Sequence, residues 1–337
     1  MTAAVLLLAV VSAMAATDAS PPQARAASPR PAADRQATLQ LAQKALAAGN
    51  RAEAKRLLAS AAERFESVEA LLQLSRLQSE DGDAAGALGS LRKARAAAPN
   101  SEGVLSAFAQ MSLAAGAPVP AILALESLAR ICPTVAQHHY LLGVALMRAG
   151  DMPAAVDALR VAERLEPDRA LTLVALGIAL NSGQLYADAK PFLARSLALE
   201  PENVDIVAAL AEAEQGVGEL DAASAHAQRA LSKSPSHATA NLVAGLIAMN
   251  QSRYSDARSA FERAVAADPQ SPKAHYQLSL ACTRLGDTAA AAEHVEKYKQ
   301  TLREYESRVK ALRAATGPMR DAPPKGRDPK PRESGKQ

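Results

Sequence analysis

The stretch YSDARSAFERAVAADP, residues 254–269, contains the pattern on which the fold depends. The small residues Ala257 and Ala264 flank the large apolar Phe261, and Pro269 closes the phrase. Because these apolar residues are four and three positions apart, their side chains share one face of a helix. The sequence therefore predicts a helix that packs closely through this face and ends before the proline.

Prolines repeat this ending at intervals of 34 residues: Pro99, Pro133, Pro167, Pro201, Pro235 and Pro269. If each repeat begins 31 residues before its proline, the units are 68–101, 102–135, 136–169, 170–203, 204–237 and 238–271. A further unit, 272–305, follows in register, and a leading unit, 35–67, is one residue short. We therefore expect residues 35–305 to form about eight stacked repeats.

Residue size is fixed at particular positions of the unit. Position 20 is always alanine: Ala87, Ala121, Ala155, Ala189, Ala223, Ala257 and Ala291, with Ala54 in the short unit. Position 8 is always small: Ser75, Ala109, Gly143, Gly177, Ala211, Gly245 and Ser279. Positions 7 and 24 are apolar throughout. Each unit is thus predicted to be two helices whose backbones approach at the small positions.

This pattern resembles the tetratricopeptide repeat family, whose unit is a 34-residue antiparallel helix pair. The resemblance covers residues 35–305 and implies an all-α fold, a right-handed superhelical α-solenoid with a C-terminal capping helix. The aromatic residues usual in the family at positions 4 and 11 are replaced here, for example by Leu71 and Gln78. Alanine-rich packing takes their place.

Charge argues against a nucleic-acid partner. The net charge is +3, and residues 317–337 alone carry six Lys or Arg against three Asp or Glu. The rest of the chain is therefore neutral, whereas phosphate binding requires clustered positive charge.

The two ends differ in composition from the repeats. Residues 1–16 contain an uncharged run that ends in Ala-Met-Ala and are predicted to be a signal peptide, cleaved near Ala15 or Ala16, although no basic residue precedes the run. The run is too short to span a membrane. An ordinary apolar N-terminus is the alternative. A disordered linker rich in Pro and Ala is expected over 17–34, and a disordered basic tail over 316–337.

No proline stops the last helix, which is expected to extend over residues 306–315. Its apolar residues alternate three and four apart: Val295, Tyr298, Leu302, Tyr305, Val309 and Leu312. Such a helix either covers the end of the stack or joins two copies as a homodimer.

No catalytic or phosphate-binding motif occurs, so we predict neither an enzyme nor a cofactor nor a metal site. His138 and His139 are adjacent, which is a poor chelating geometry. His139 falls at position 4 of its unit, where the side chain is expected to pack in the interface between helices. Cys132 and Cys282 lie more than four repeats apart and are expected to be unpaired.

The family resemblance implies that the first helix of each pair lines an inner face, at positions such as 2, 5, 9 and 12. Many of these positions are apolar: Tyr140, Val144, Met147, Val174, Ile178, Leu242, Leu246, Met249, Tyr276 and Leu280. Because exposed apolar surface marks binding sites, these ten residues are the predicted partner-binding surface. The alternative is that the chain itself covers them. Unit 204–237 interrupts the stripe with Asp205, Glu212 and Gln215, which favours two patches.

Together these features indicate an exported, periplasmic or secreted scaffold that docks protein or peptide partners, in envelope complex assembly or secretion. Two alternatives remain: an accessory subunit that selects substrates for an enzyme encoded elsewhere, and a self-assembling structural protein.

Overall fold

The computed structural model describes residues 30–316, which form sixteen α-helices in eight pairs and, within that range, no strand. The first four pairs are α1 (Arg30–Ala47) with α2 (Arg51–Phe65), α3 (Val68–Glu80) with α4 (Ala84–Ala97), α5 (Glu102–Ala114) with α6 (Pro118–Ile131), and α7 (Ala136–Ala149) with α8 (Met152–Leu165). The last four are α9 (Ala170–Ser182) with α10 (Tyr186–Leu199), α11 (Val204–Gly216) with α12 (Leu220–Lys233), α13 (Ala238–Asn250) with α14 (Tyr254–Ala267), and α15 (Pro272–Arg284) with α16 (Thr288–Thr316).

The predicted all-α solenoid is confirmed, because each helix packs mainly on the helices before and after it in the chain. From α3 to α15 the first helix of each pair begins at the first residue of its 34-residue unit, and the second helix follows after a short turn. In six units the second helix ends two residues before the repeated proline: α4, α6, α8, α10, α12 and α14. The proline thus stops the helix by excluding its predecessor from helical geometry.

The N-terminal boundary differs from the prediction. Helix α1 begins at Arg30, so the prediction of a disordered linker is wrong for residues 30–34. The sequence there, RPAAD, places proline at the second helical residue, where its missing N–H would have no partner in any case. The remainder of the predicted linker, the predicted signal peptide and residues 317–337 lie outside the described residues.

The small positions allow the two helices of a pair to approach closely. Alanine at position 20 is fully buried in seven of the eight units, and Ala291 in the last unit is 8% exposed. Position 8 lies directly under the large side chain at position 24. A Cβ atom on Gly143 would lie only 2.4 Å from Cγ of Leu159, and the same separation from a side-chain carbon is found for Gly177 with Leu193 and Gly245 with Phe261.

The turn inside each unit requires a left-handed backbone at position 15. Its φ lies between 59° and 91° in all eight units: Gly49, Gly82, Gly116, Gly150, Gln184, Gly218, Ser252 and Gly286. Glycine adopts this conformation without the steric cost that a side chain adds. Gln184 and Ser252 occupy it nonetheless.

Helix α16 is the longest helix, with 29 residues, and ends at Thr316, one residue beyond the predicted extension over 306–315. Its first half pairs with α15, as the repeat requires. Its second half contacts α6 and α7, so part of the predicted heptad seam packs within the chain, and Leu312 is fully buried.

Candidate functional site: the inner face of the solenoid

The first helices of successive pairs form one layer. Helix α9 contacts both α7 and α11, and α13 contacts both α11 and α15, although a second helix intervenes in the chain each time. The ten residues predicted as a binding surface lie on α7, α9, α13 and α15 of this layer.

These ten residues differ in how much of their surface is free. Leu242 is buried, and seven others are half-buried: Tyr140, Val144, Met147, Val174, Ile178, Leu246 and Met249. Met147, for example, packs against the core of its own unit and against the core of the next. Only Tyr276 and Leu280 are exposed, at 44% and 36%. The middle of the predicted stripe therefore contributes to packing between units, and its C-terminal end presents free apolar surface.

Two of the aromatic residues are partly covered by neighbours. The guanidinium of Arg169 lies 5.0 Å from the ring centre of Tyr140, and the Tyr298 ring on α16 lies 5.4 Å from that of Tyr276. Both contacts hold a flat apolar ring in a fixed orientation.

A polar bridge crosses the layer where the sequence interrupts the apolar stripe. Nζ of Lys273 lies 2.6 Å from Oε1 of Glu212 and 3.4 Å from the phenol oxygen of Tyr186. Burial lowers the pKa of Lys273, but the Glu212 carboxylate and the Tyr186 phenol outweigh it, so the pKa is raised. The amide of Asn181 is 3.5 Å from the other Glu212 oxygen and donates to the Ala209 carbonyl. This bridge separates the two apolar parts of the stripe.

The structure also contains a groove whose lining residues are not part of the predicted apolar stripe. It has a volume of about 530 Å³ and lies between α3, α4 and α5. Its apolar floor is formed by Leu72, Leu91, Ala107 and Met111, and its polar rim by Gln73, Arg76, Glu80 and Gln110. Leu72 is apolar at inner-face position 5 and is the one residue whose pattern indicates this groove. Arg76 and Gln110 are polar at inner-face position 9, so these units lack the apolar stripe by which the binding surface was predicted.

The histidines and cysteines do not assemble a reactive site. Within residues 30–316 no group of three or more His, Cys, Asp and Glu side chains could hold a metal ion. Nε2 of His139 donates to the Pro133 carbonyl at 2.9 Å, as an interface histidine does. Cys132 and Cys282 are both unpaired. Burial raises the pKa of both thiols, and the Glu102 carboxylate adds to the effect at Cys132, so neither is an activated nucleophile.

Among the same described residues, no helix combines the length and apolar character needed to cross a bilayer.

A family model described as tetratricopeptide repeat matches residues 119–170, 140–204, 208–272 and 242–307, which together make up more than half of the chain. A comparison with curated protein sequences finds no match.

Solved structures share the architecture. A tetratricopeptide repeat protein from Parabacteroides merdae superimposes with a TM-score of 0.54 at 15% identity, over 74% of this chain and 99% of that one. The structure titled as the APC/C hetero-tetramer Cut9-Hcn1 gives a TM-score of 0.52 at 18% identity, over 73% of this chain and 52% of that one. At these identities the likeness concerns the fold alone.

Proposed function

The chain belongs to the tetratricopeptide repeat family, and from that premise we propose that it is a non-catalytic scaffold that docks a partner polypeptide on its inner face. The fold is generally a non-catalytic protein-interaction scaffold, and its members bind protein partners. The proposal goes further in assigning the docking surface to particular residues of this chain.

One observation carries the assignment. Tyr276 and Leu280 lie one helical turn apart on α15 and remain exposed in the folded chain, although an apolar side chain gains free energy when it is removed from water. Because Leu280 is 36% exposed, a partner that covers it gains about a third of the 1.5–3 kcal/mol that full burial of a leucine contributes. The half-buried residues Leu246 and Met249 on the neighbouring helix α13 extend this apolar surface.

The chemistry of the patch defines the kind of partner. Two apolar side chains on one helix face, flanked by the Lys273–Glu212 bridge, fit an apolar or amphipathic peptide segment. Aromatic residues with little conformational entropy, such as Tyr276 beside Tyr298, are favoured anchors of such interfaces.

A photo-crosslinking experiment tests the proposal. A photoreactive phenylalanine analogue replaces Leu280 in the native cell, and the same analogue replaces Leu285 in the matched control, which is 40% exposed but lies at the end of α15. We expect a discrete crosslinked partner from position 280 alone, and its loss when Tyr276→Glu is added. Equal crosslinking from both positions, or from neither, would show that Tyr276 and Leu280 are ordinary exposed surface and do not form a docking site.

We also propose that the scaffold is exported and acts in envelope complex assembly or secretion, on the basis of the apolar run over residues 3–16 and the small residues Ala13 and Ala15 near its end. Mass spectrometry of the protein purified from its own cell tests this proposal. A mature chain that begins at Ala16 or Thr17 supports export, and a chain that retains Met1 contradicts it.

A further inference from the structure

The second half of α16 leaves its partner α15 and reaches helices four units earlier in the chain. The helix contains neither glycine nor proline between Thr288 and Thr316, so it continues unbroken past the end of the repeat. At 1.5 Å per residue, its 29 residues extend about 43 Å. Residues 302–316 then contact α6 and α7.

The contact is specific at the turn between α7 and α8. The Tyr305 hydroxyl donates a hydrogen bond of 2.6 Å to the carbonyl oxygen of Gly150. A Cβ atom on Gly150 would lie 2.7 Å from the Tyr305 ring and 3.0 Å from the Val309 side chain, so a larger residue there would displace the helix. Gly150 also has a φ of 91°, which independently favours glycine.

The end of the helix is anchored in an established core. Leu312 is fully buried and belongs to the apolar cluster that includes Phe108, Leu125 and Leu146. Thr316, the last described residue, is 9% exposed. The anchor is therefore apolar, and the Tyr305 hydrogen bond orients it.

This contact is unlike the other contacts of a solenoid, in which each repeat touches only its neighbours. Because α16 is one continuous helix that contacts α15 at one end and the α7–α8 turn at the other, it links unit 272–305 to unit 136–169. The bridge from Lys273 to Glu212, 61 residues earlier, likewise links two units that are not adjacent in the chain.

The joint is not filled along its whole length. A cleft of about 400 Å³ lies between the turn residues Gly150, Asp151 and Pro153 and the α16 residues Tyr305, Val309 and Arg313. Opening the joint breaks these contacts of α16 and leaves the helix pairs of the repeats intact.

We infer that residues 302–316 are a latch that sets the curvature of the solenoid. When they are docked on the α7–α8 turn, units 136–169 and 272–305 are held together and the inner face is narrow. When they are released, the units separate and the inner face widens. The consequence for partner access rests on the proposed function, whereas the latch itself does not.

Electron–electron distance measurements on the full-length chain test the latch. Spin labels are placed at Arg160→Cys on α8 and Arg284→Cys on α15, both exposed positions, in a background of Cys132→Ser and Cys282→Ala. Leu312→Arg is then compared with the matched control Ala311→Arg, which adds the same charge at the adjacent exposed residue. We expect a narrow distance distribution in the parent and the control, and a broader, longer one in Leu312→Arg.

Hydrogen exchange of residues 303–316 in the same proteins reports whether the helix has been released. We expect it to accelerate roughly tenfold or more in Leu312→Arg, which corresponds to a loss of about 1.4 kcal/mol of docking free energy. Faster exchange with an unchanged distance distribution would overturn the latch. Unchanged exchange in both Leu312→Arg and Tyr305→Glu would overturn the assignment of the anchor. Because neither measurement involves a partner, the latch and the docking surface fail or succeed separately.

Discussion

The phenol oxygen of Tyr305 lies 2.6 Å from the carbonyl oxygen of Gly150, a residue 155 positions earlier in the chain. The carbonyl belongs to the residue that terminates α7, and it also accepts the backbone N–H of Met152 at 3.1 Å. The Tyr305 side chain therefore adds a second hydrogen bond at a helix end four repeats away and connects the terminal helix to the middle of the solenoid.

Tyr305→Phe should weaken the docking of residues 302–316 by about 1 kcal/mol, because it removes this hydrogen bond and retains the ring. The measurement is hydrogen exchange of the amides from 303 to 316. Tyr298→Phe on the same helix is the control, since the Tyr298 phenol has no hydrogen-bond partner among the described residues. If both variants exchange at the same rate, the hydroxyl does not stabilise the joint.

A second prediction concerns the close packing of the side chain at position 24 over the residue at position 8. Gly143→Ala should destabilise the chain by about 1–3 kcal/mol, because its Cβ would lie 2.4 Å from Leu159 Cγ in a fully buried interface. Gly89→Ala is the control: it is also within a helix, but nothing lies within 4 Å of the added atom.

We expect Gly89→Ala to stabilise the chain by up to about 1 kcal/mol, because alanine has the higher helix propensity. Urea unfolding monitored by circular dichroism measures both changes. Destabilisation of equal size at the two positions would mean that backbone conformation, and not contact with Leu159, determines the cost.

The repeat could be predicted from the sequence because its rules are local. An alanine such as Ala189 is needed wherever the two helices of one pair cross, and alanine recurs at this position every 34 residues. Glycines such as Gly82 and Gly218 mark the left-handed turn in most units, although Gln184 and Ser252 show that the geometry persists without glycine. Local size and turn rules therefore define the fold.

The inner face and the latch could not be predicted in the same way. Ile178 and Leu280 occupy the same position of the unit, yet Ile178 is half-buried and Leu280 exposed. The difference arises because unit 170–203 is followed by further repeats, whereas no repeat follows α16 within the described residues. Likewise, nothing in the period distinguishes Gly150 from Gly116; the contact with Tyr305 depends on curvature accumulated over several units.

The bridge between Lys273 and Glu212 should contribute more than an ordinary surface ion pair, because the Glu212 side chain is only 17% exposed and the pair joins non-adjacent units. Lys273→Met and Glu212→Gln, alone and combined, form a double-mutant cycle in urea unfolding. We expect a coupling free energy of about 1–2 kcal/mol, between the values typical of exposed and buried pairs.

Lys190 and Glu219 provide the comparison, since they form an exposed pair between neighbouring units. Their cycle should give a coupling of about 0.5 kcal/mol or less. Similar coupling in the two cycles would show that the connection across the layer adds nothing to an ordinary ion pair.

Stability should fall as the pH decreases through the titration of His294. Burial lowers the pKa of this residue from its ordinary 6.5, and the adjacent His275 lowers it further; the two Nδ1 atoms lie 3.3 Å apart. The unfolded chain therefore binds the proton more tightly than the folded chain does. The contribution of His294 to stability is fully present above pH 6.5 and is lost as the pH falls through the folded pKa.

Thermal unfolding between pH 7.5 and pH 5 measures this effect. The parent should lose more stability over that range than His294→Gln, whose amide can still donate to Nδ1 of His275 but carries no titrating group. His226→Gln provides a comparison at another histidine of the solenoid, one paired with the buried carboxylate of Glu214. If His294→Gln follows the parent curve, the pair on α15 and α16 does not control the acid response.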